Sequence, residues 1–401
     1  MQDFVTHDLK LKKSQKNRAS ERFVSAMRLY VLMDMANEMR EDYETHVEPA
    51  LQANGKDLPA DGVAVHKSLR QRPKFKLYSS LRCNAQEMVW RTASDFVNRS
   101  GVDLEQKFAT LTRDNSAAQG TLTLHQGIEK PDYYDVVDVH LMPGNYDVAQ
   151  GEPSMLPGAL YDNSFNVFAI GAMGREFSDI GWSMANFLRL RFPDFKPDTI
   201  VDVGCTIGHN TLPWKQTFSE AKVHGIDLSA SCLRYAHARA QSMGITAHFQ
   251  QGSASALPFE DNSVDVVFSS MFLHELPNKT IREFLAEAHR ILRPGGILLN
   301  MELPPNAALA AYDAFYLDWD CYYNNEPYYK NFRDQDYQEL CTTAGFSGDS
   351  FFQAVMPRYT YVDEEQFKQA ISNDAVFNED TGRLSEVIEW YGFGARKQLN
   401  T

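Results

Sequence analysis

Residues 199–229 read TIVDVGCTIGHNTLPWKQTFSEAKVHGIDLS. The stretch predicts a strand, a tight glycine turn, a helix and a second strand that ends on an acid. Ile200, Val201 and Val203 form the short apolar run that a buried parallel strand needs, and this run meets Asp202, Gly204 and Gly208. Glycine at such a turn lets a ligand approach the backbone closely. A second apolar run, Val223 to Leu228, carries Asp227 about twenty residues past the turn, where a carboxylate can hold both hydroxyls of a ribose. The stretch alone implies a nucleotide-like ligand.

The spacing of the turn narrows the ligand. A dinucleotide fingerprint, G-x-G-x-x-G, seats a pyrophosphate on a helix N-terminus. The order here is Asp202-Val-Gly204-Cys-Thr-Ile-Gly208, so the third-glycine spacing fails and a carboxylate stands two places before the first glycine. That charge repels a pyrophosphate and suits a ligand carrying an ammonium and a sulfonium. The stretch resembles motif I of the class I S-adenosylmethionine-dependent methyltransferases, D/E-x-G-C-G-x-G, with Thr206 in place of the middle glycine.

Three further stretches carry the resemblance, in the family's order. Residues 250–259, QQGSASALPF, are similar to its G-D-A-x-x-L-P-F, whose acid takes the adenine amino group; Ser253 stands at the acidic position, followed by Ala254. Residues 271–277, MFLHELP, resemble its L-H-H/E-L-P at the carboxyl edge of the sheet. His274 is a candidate for removing a proton from an acceptor and Glu275 is its neighbouring candidate, although the same segment can simply pack beside the sulfur end of the cofactor. Residues 290–299, RILRPGGILL, resemble its R-x-L-K-P-G-G, a structural turn before the fifth strand.

The resemblance covers about 160–401. It implies an α/β fold with a Rossmann-like, seven-stranded sheet, mostly parallel with the last strand antiparallel, and S-adenosyl-L-methionine as cofactor. Asp202, Gly204 and Gly208 are expected to hold its methionine part, Asp227 the ribose, and Ser253 and Ala254 the adenine. Cys205, Leu228, Ser269 and Tyr161 complete the expected cofactor set, Tyr161 and Arg175 coming from a segment that folds over the cofactor.

Composition excludes some partners. The chain has 401 residues, 43% of them hydrophobic, which leaves room for two or more domains with a sizeable core. A net charge of −14 argues against a nucleic acid or an anionic membrane, because phosphate binding rests on a positive footprint. A small-molecule methyl acceptor is therefore expected. The opening MQDFVTHDLKLKKSQKNR lacks the apolar region of a signal peptide, and no apolar run is long enough to span a bilayer, so a cytoplasmic location is expected. The five cysteines are dispersed without a C-x-x-C pair, and neither a metal site nor a disulfide framework is indicated.

Residues 1–155 match no family and read as a mainly helical domain serving substrate selection, a lid, dimerisation or plain scaffolding, with a homodimer left open. Phe23, Met27, Tyr30, Val31, Met35 and Met39 give a helical stripe within 8–48, which Pro49 should close; the basic cluster from Lys10 to Arg22 reads as a solvated face. Helices are expected over 79–98 and 104–111, broken at Gly101, and a hairpin or two edge strands over 121–124 and 134–141. A Gly- and Pro-rich link at 149–158 marks the boundary.

Two insertions, at about 304–333 and 357–387, interrupt the methyltransferase-like region. In the first, aromatic residues from Tyr312 to Tyr329 alternate with Asp313, Asp318, Asp320 and Glu326. Aromatic faces with carboxylates suit a cationic acceptor, so an amine is placed ahead of a thiol, thioether or hydroxyl, with Tyr316, Trp319, Tyr323 and Tyr328 as substrate contacts. Packing of this segment on the N-terminal domain is the alternative. The expected chemistry is in-line transfer of a methyl group, set against a catalytically silent cofactor-binding subunit and a nicotinamide-dependent oxidoreductase.

Overall fold

A computed structural model describes residues 6–113, 120–125, 127–147, 153–372, 375–385 and 387–399. Part of the expected boundary at 149–158 lies outside the described residues. Eight strands form one sheet: β1 (Leu122–Thr123), β2 (Thr199–Val203), β3 (Lys222–Asp227), β4 (His248–Gln251), β5 (Val264–Ser270), β6 (Leu292–Glu302), β7 (Phe351–Pro357) and β8 (Glu389–Arg396). Their order across the sheet is β1-β4-β3-β2-β5-β6-β8-β7. All pairs are parallel except those β8 makes with β6 and β7. The seven expected strands are present, and β1 adds an eighth at the far edge.

The sequence explains the centre of this sheet. Ile200, Val201, Val203, Val266, Val267 and Phe268 are all buried, as strands covered on both faces require. Asp265 breaks that apolar run for a structural reason: its Oδ2 accepts the backbone N–H groups of Asp198 and Thr199 at 2.8 Å each, tying β5 to the entry of β2. On β8, Gly394 lies opposite Leu299 of β6 and Phe352 of β7. A Cβ there would come within 2.1 Å of the Leu298 carbonyl oxygen and 2.7 Å of the Phe352 ring. The switch point between β2 and β5 opens a crevice at the carboxyl ends of the strands, the usual ligand position in an open α/β sheet.

Two expectations for the first 155 residues are corrected. Residues 134–141 form turns and a short 3₁₀ segment, Val139–Leu141, in place of a strand. The expected partner, Leu122–Thr123, is taken up in parallel by β4, and the Tyr134 carbonyl accepts from the Asn145 side chain at 2.9 Å. Pro49 also fails to end the first helical stretch, which runs over 15–53 with π-turns at Val31–Met35 and Tyr43–Val47. Pro49 falls in the first turn after the second π-turn, where a missing N–H costs little.

The long helix Pro73–Arg99 packs along Leu156–Phe168, and Gly62–Leu69 packs along Ala311–Tyr322 of the first insertion. Gly62 permits the second contact, since a Cβ there would fall 2.8 Å from the Phe315 backbone nitrogen. One apolar cluster runs from Leu9, Val89 and Trp90 through Ala159 and Phe165 to Ile200 and Val266 of the sheet. His7, at the start of the described chain, lies 3.5 Å from Asp162 and 3.3 Å from Glu176.

Gly394→Ala should destabilise the fold by about 1–3 kcal/mol through overpacking at β8. Urea unfolding of the purified variant checks this. A midpoint equal to the parent's would remove the close strand approach as the reason for glycine.

Candidate functional site

A cavity opens over the carboxyl ends of β2, β3 and β5, and the residues lining it come from both the sheet and the first 155 residues. Asp202, Gly204, Cys205, Asp227, Leu228, Ala254 and Tyr161 of the expected cofactor set lie on its wall. The loop after β2 is built by special backbone angles: Gly204 has φ +78°, and Thr206, the replacement for the family's middle glycine, is held at φ +48°. A left-handed Thr costs on the order of 1 kcal/mol. Its N–H donates to Asp227 Oδ2 at 2.8 Å, while Ser229 N–H donates to Oδ1 at 2.8 Å. One acid thus holds the two loops that flank the crevice. Gly204 is required on packing grounds too, because a Cβ would come within 2.4 Å of the Phe272 ring.

Asp202 is 1% exposed and accepts from the Thr211 hydroxyl at 2.5 Å through Oδ2, whereas its Oδ1 is buried with no hydrogen-bond partner among the described residues. Burial pushes its carboxyl up to about 7, with the nearby Asp227 charge adding to the rise against the Thr211 bond. Asp227 is likewise raised by burial to about 6 despite its two N–H donors. A cation is the natural complement of such a pair. An orphan carboxylate oxygen, a glycine cradle and a second acid on the neighbouring strand therefore fit the ammonium, methionine chain and ribose of S-adenosylmethionine.

Three expected cofactor residues are turned elsewhere. Gly208 (φ +71°) sits over the Phe249 ring, 3.0 Å from a built Cβ, and serves the turn and its packing. Ser253 lies off the cavity wall with its hydroxyl accepting the Ser255 N–H at 3.2 Å, leaving Gly252 and Ala254 on the wall. Ser269 points between β5 and β6 and donates to Asn300 at 2.8 Å; the next residue, Ser270, faces the cavity instead. Arg175 is exposed and away from the cavity wall.

Beyond the loop after β5 stands a chain of acids and imidazoles. Glu302, at the end of β6, accepts the N–H groups of Phe272 and Leu273 on Oε1 at 2.8 and 2.6 Å, and faces His274 Nδ1 at 2.6 Å through Oε2. His274 Nε2 lies 3.5 Å from Glu326, whose other oxygen is 3.2 Å from His140 Nδ1. His140 Nε2 in turn lies 3.2 Å from Glu275 Oε1, which also accepts the Tyr146 hydroxyl at 3.0 Å. Burial would lower both imidazoles, but the acids outweigh it: Glu302, then Glu326 and Glu275, raise His274 to about 9, and Glu326 and Glu275 raise His140 to about 10. Both rings are imidazolium near neutral pH. His274 is 2% exposed and flanked by carboxylates on both nitrogens. Glu275 is half-buried on the cavity wall.

The aromatic and acidic insertion divides. Tyr316 lines the cavity, but Trp319 stacks on His66 and Tyr322, Tyr323 packs edge-on against both Trp319 and Tyr322, and Tyr328 meets Tyr133, all off the cavity wall. Packing on the N-terminal domain, the alternative, describes Trp319 on His66 and Phe75 and Tyr328 on Tyr133, while Tyr323 stays within its own segment. Every acid of the segment has a cationic partner within the chain: Asp313 with Arg40, Asp318 with Arg333, Asp320 with Arg82, and Glu326 with the two histidines. The ground for a cationic acceptor is thereby lost.

His140, Tyr146 and Glu302 were missed in the sequence. Glu302 left a signal, an acid closing the apolar run of β6 at the sheet's ligand-binding edge. His140 left none, because its place depends on the packing of the first 155 residues. Among the described residues no group of three or more His, Cys, Asp or Glu is arranged to hold a metal ion, and no helix is long and apolar enough to cross a membrane.

The family described as "Methyltransferase domain" matches residues 200–296. A malonyl-[acyl-carrier protein] O-methyltransferase of Coxiella burnetii is 31% identical over 152 residues, covering 37% of this chain and 50% of that protein. The phthiotriol/phenolphthiotriol dimycocerosates methyltransferase of Mycobacterium tuberculosis is 35% identical over 115 residues, covering 29% of this chain and 41% of that protein. The chain thus spans half or less of these curated relatives. Among solved structures, the Haemonchus contortus phospholethanolamine N-methyltransferase 2 is 20% identical, covering 58% of this chain and 56% of that one with a TM-score of 0.39. The chain carries a class I S-adenosylmethionine-dependent methyltransferase domain, with residues 200–296 as its matched core.

Proposed function

We propose that this protein transfers a methyl group from S-adenosylmethionine to a small-molecule acceptor by in-line displacement. The observation that carries the reading is the buried, unpartnered Oδ1 of Asp202 beside the Gly204 turn, facing the same cavity as Asp227 and Glu275. When bound, the cofactor supplies a sulfonium methyl, an electrophile that needs no metal. Asp202 would take its ammonium, and Asp227 its ribose through lone pairs left after the two backbone N–H donors. Tyr161 and Ala254 would close over and under it, with Cys205 and Leu228 filling the remaining wall.

The chain's contribution to rate is alignment and exclusion of water. Phe165, Phe168, Phe177 and Trp390 give the cavity dry walls, and Glu275 is the group we assign to receive a proton from the acceptor. The amine preference drawn from the aromatic and acidic insertion has no further support once its acids are found paired. We assign residues 1–155 to selecting and covering the acceptor, a role supported by Leu32, Tyr134, His140 and Tyr146 on the cavity wall. A small neutral or weakly charged acceptor suits the acidic surface better than a nucleic acid does.

Calorimetric titration with S-adenosylmethionine tests the cofactor assignment. Asp227→Ala should raise the dissociation constant about tenfold, or about 1.4 kcal/mol, and unchanged binding would remove the ribose role.

Asp202→Asn separates stability from binding. The folded carboxyl at about 7 lies above its unfolded value, so its contribution to stability is present in acid and lost as pH rises through 7. The amide should therefore stabilise the unliganded fold by on the order of 2 kcal/mol near pH 8, with the gain shrinking toward pH 4, while it weakens cofactor binding. The parent's cofactor affinity should likewise fall as pH drops through 7 and 6, when Asp202 and then Asp227 become neutral. Urea unfolding and calorimetry across that pH range read both effects; an Asn variant that is less stable at every pH would contradict the buried-charge account.

A further inference from the structure

Building on the methyltransferase reading, we propose that the acceptor is a neutral hydroxyl compound with an apolar body, and that its proton passes into the Glu275–His140–Glu326–His274 chain. Four separate elements meet in that chain: the Val139–Leu141 turn of the N-terminal region, the turn after β5, the end of β6 and the first insertion. A hydrogen bond of 3.0 Å from Tyr146 to Glu275 and ion-pair contacts of 3.2 to 3.5 Å string together Glu275, His140, Glu326 and His274, and Glu302 closes the far end at 2.6 Å. Three carboxyl groups face two imidazolium rings, which leaves one carboxyl group that a proton can join without building net positive charge. Glu275 Oε1 takes both the Tyr146 hydroxyl and the His140 contact, and its other oxygen, which has no hydrogen-bond partner among the described residues, receives that proton.

Backbone strain points to the same place. His140 and Leu141 both have φ +58°, two consecutive non-glycine residues in the left-handed region. Such conformations cost of order 1–3 kcal/mol each and persist where surrounding structure imposes them, commonly at functional sites. Here the strain turns an imidazole from the N-terminal region between two acids at the methyl-transfer end of the cavity. Packing alone would not call for a buried chain of ionisable groups, whose desolvation is expensive.

The rest of the acceptor space sets the class. Its walls are Leu32, Met301, Leu303, Leu317, Leu384 and Ile388, which match an apolar body. A permanent cation finds its candidate carboxylates already paired with Arg40, Arg82, Arg333 and the two histidines, and the rings of Trp319 and Tyr323 packed elsewhere. A thioether would make the chain idle, since it has no proton to lose. A carboxylate acceptor would approach a cluster with one negative charge already in excess. In the step itself, the hydroxyl proton moves to Glu275 while the oxygen lone pair forms the O–CH₃ bond. The C–S bond of the sulfonium breaks with its electron pair kept by sulfur. The products are a methyl ether, S-adenosylhomocysteine and a proton released to solvent.

The test begins with calorimetry using S-adenosylmethionine, because failure to bind it would overturn the methyltransferase reading and this proposal with it. With binding established, release of S-adenosylhomocysteine is measured with hexylphenol, octanol, octylamine and methyl octyl sulfide. Turnover of a hydroxyl compound with release of a proton is expected. Turnover confined to the amine or the sulfide, or none with either hydroxyl compound, overturns the proposal while leaving the cofactor assignment standing. Glu326→Gln, which touches the chain but not the cofactor loops, should lower kcat about tenfold and steepen its loss toward acid. Histidine NMR titration should move His140 and His274 down by about one pH unit in that variant; if it does not fold, His140→Gln is the second variant, in which His274 should move up as the competing cation on Glu326 is removed. Unmoved histidines would overturn the coupling. Loss of cofactor affinity in step with kcat would reduce Glu326 to a structural role.

Discussion

Glu302 fixes the turn on which the candidate site depends. Its side chain is fully buried at the end of a central strand, and it receives two backbone N–H groups of residues 272–273 together with the His274 ring. Without that carboxylate, the turn after β5 would present two unsatisfied buried donors, each costing about 1–3 kcal/mol. Met271, at φ +49°, shows that the turn is held in a conformation its sequence does not favour. Glu275 then faces the cavity, and Phe272 closes against Gly204 on the far side. The glycine loop after β2 and the turn after β5 are thus tied to one another through a single structural acid.

The sheet was legible because its signals are local. Apolar runs, the Gly204 turn, Gly244 at φ +64° after the helix Ala230–Met243, and Asp227 at a strand end each act within a few residues. The connections β2 to β3, β3 to β4 and β5 to β6 each return to a neighbouring position, and only the step from β4 to β5 crosses to the other side of β2 within the parallel core. Side-chain direction at strand ends was harder. Ser269 and Ser270 are adjacent and chemically alike, and only the pleat decides which enters the crevice. Ser253 shows a second limit, for its hydroxyl is captured by a backbone N–H two residues on, a local competitor that a motif comparison does not weigh.

The N-terminal region was legible as helices but not as part of a site. Periodicity marks a stripe on the 15–53 stretch, yet it cannot say that Leu32 reaches the cavity whereas Phe23 stays exposed. Pro49 misled for a physical reason: a π-turn before it skips a hydrogen bond, so a residue without an N–H can follow and the helix continues. The hairpin misled because β-branched residues at 136, 137 and 139 favour extended backbone, but in the fold they lie in turns and pair with no strand among the described residues. Those residues instead form the turn that delivers His140.

Charge pairing decides how the insertion must be understood. Read as a string, its acids and rings resemble a receptor for a cation; folded, each acid meets a cation, Arg333 from the insertion's own end and Arg82 and Arg40 from the N-terminal helices. The pairing of Asp320 with Arg82 is bidentate, with contacts at both carboxylate oxygens, and Arg82 is itself buried. Breaking such a pair for a ligand would leave an uncompensated buried charge, a cost of about 3–5 kcal/mol that a single ammonium contact does not recover. The insertion is therefore better described as the surface on which the first 155 residues are fastened. That fastening brings His140 and Tyr146 to Glu275.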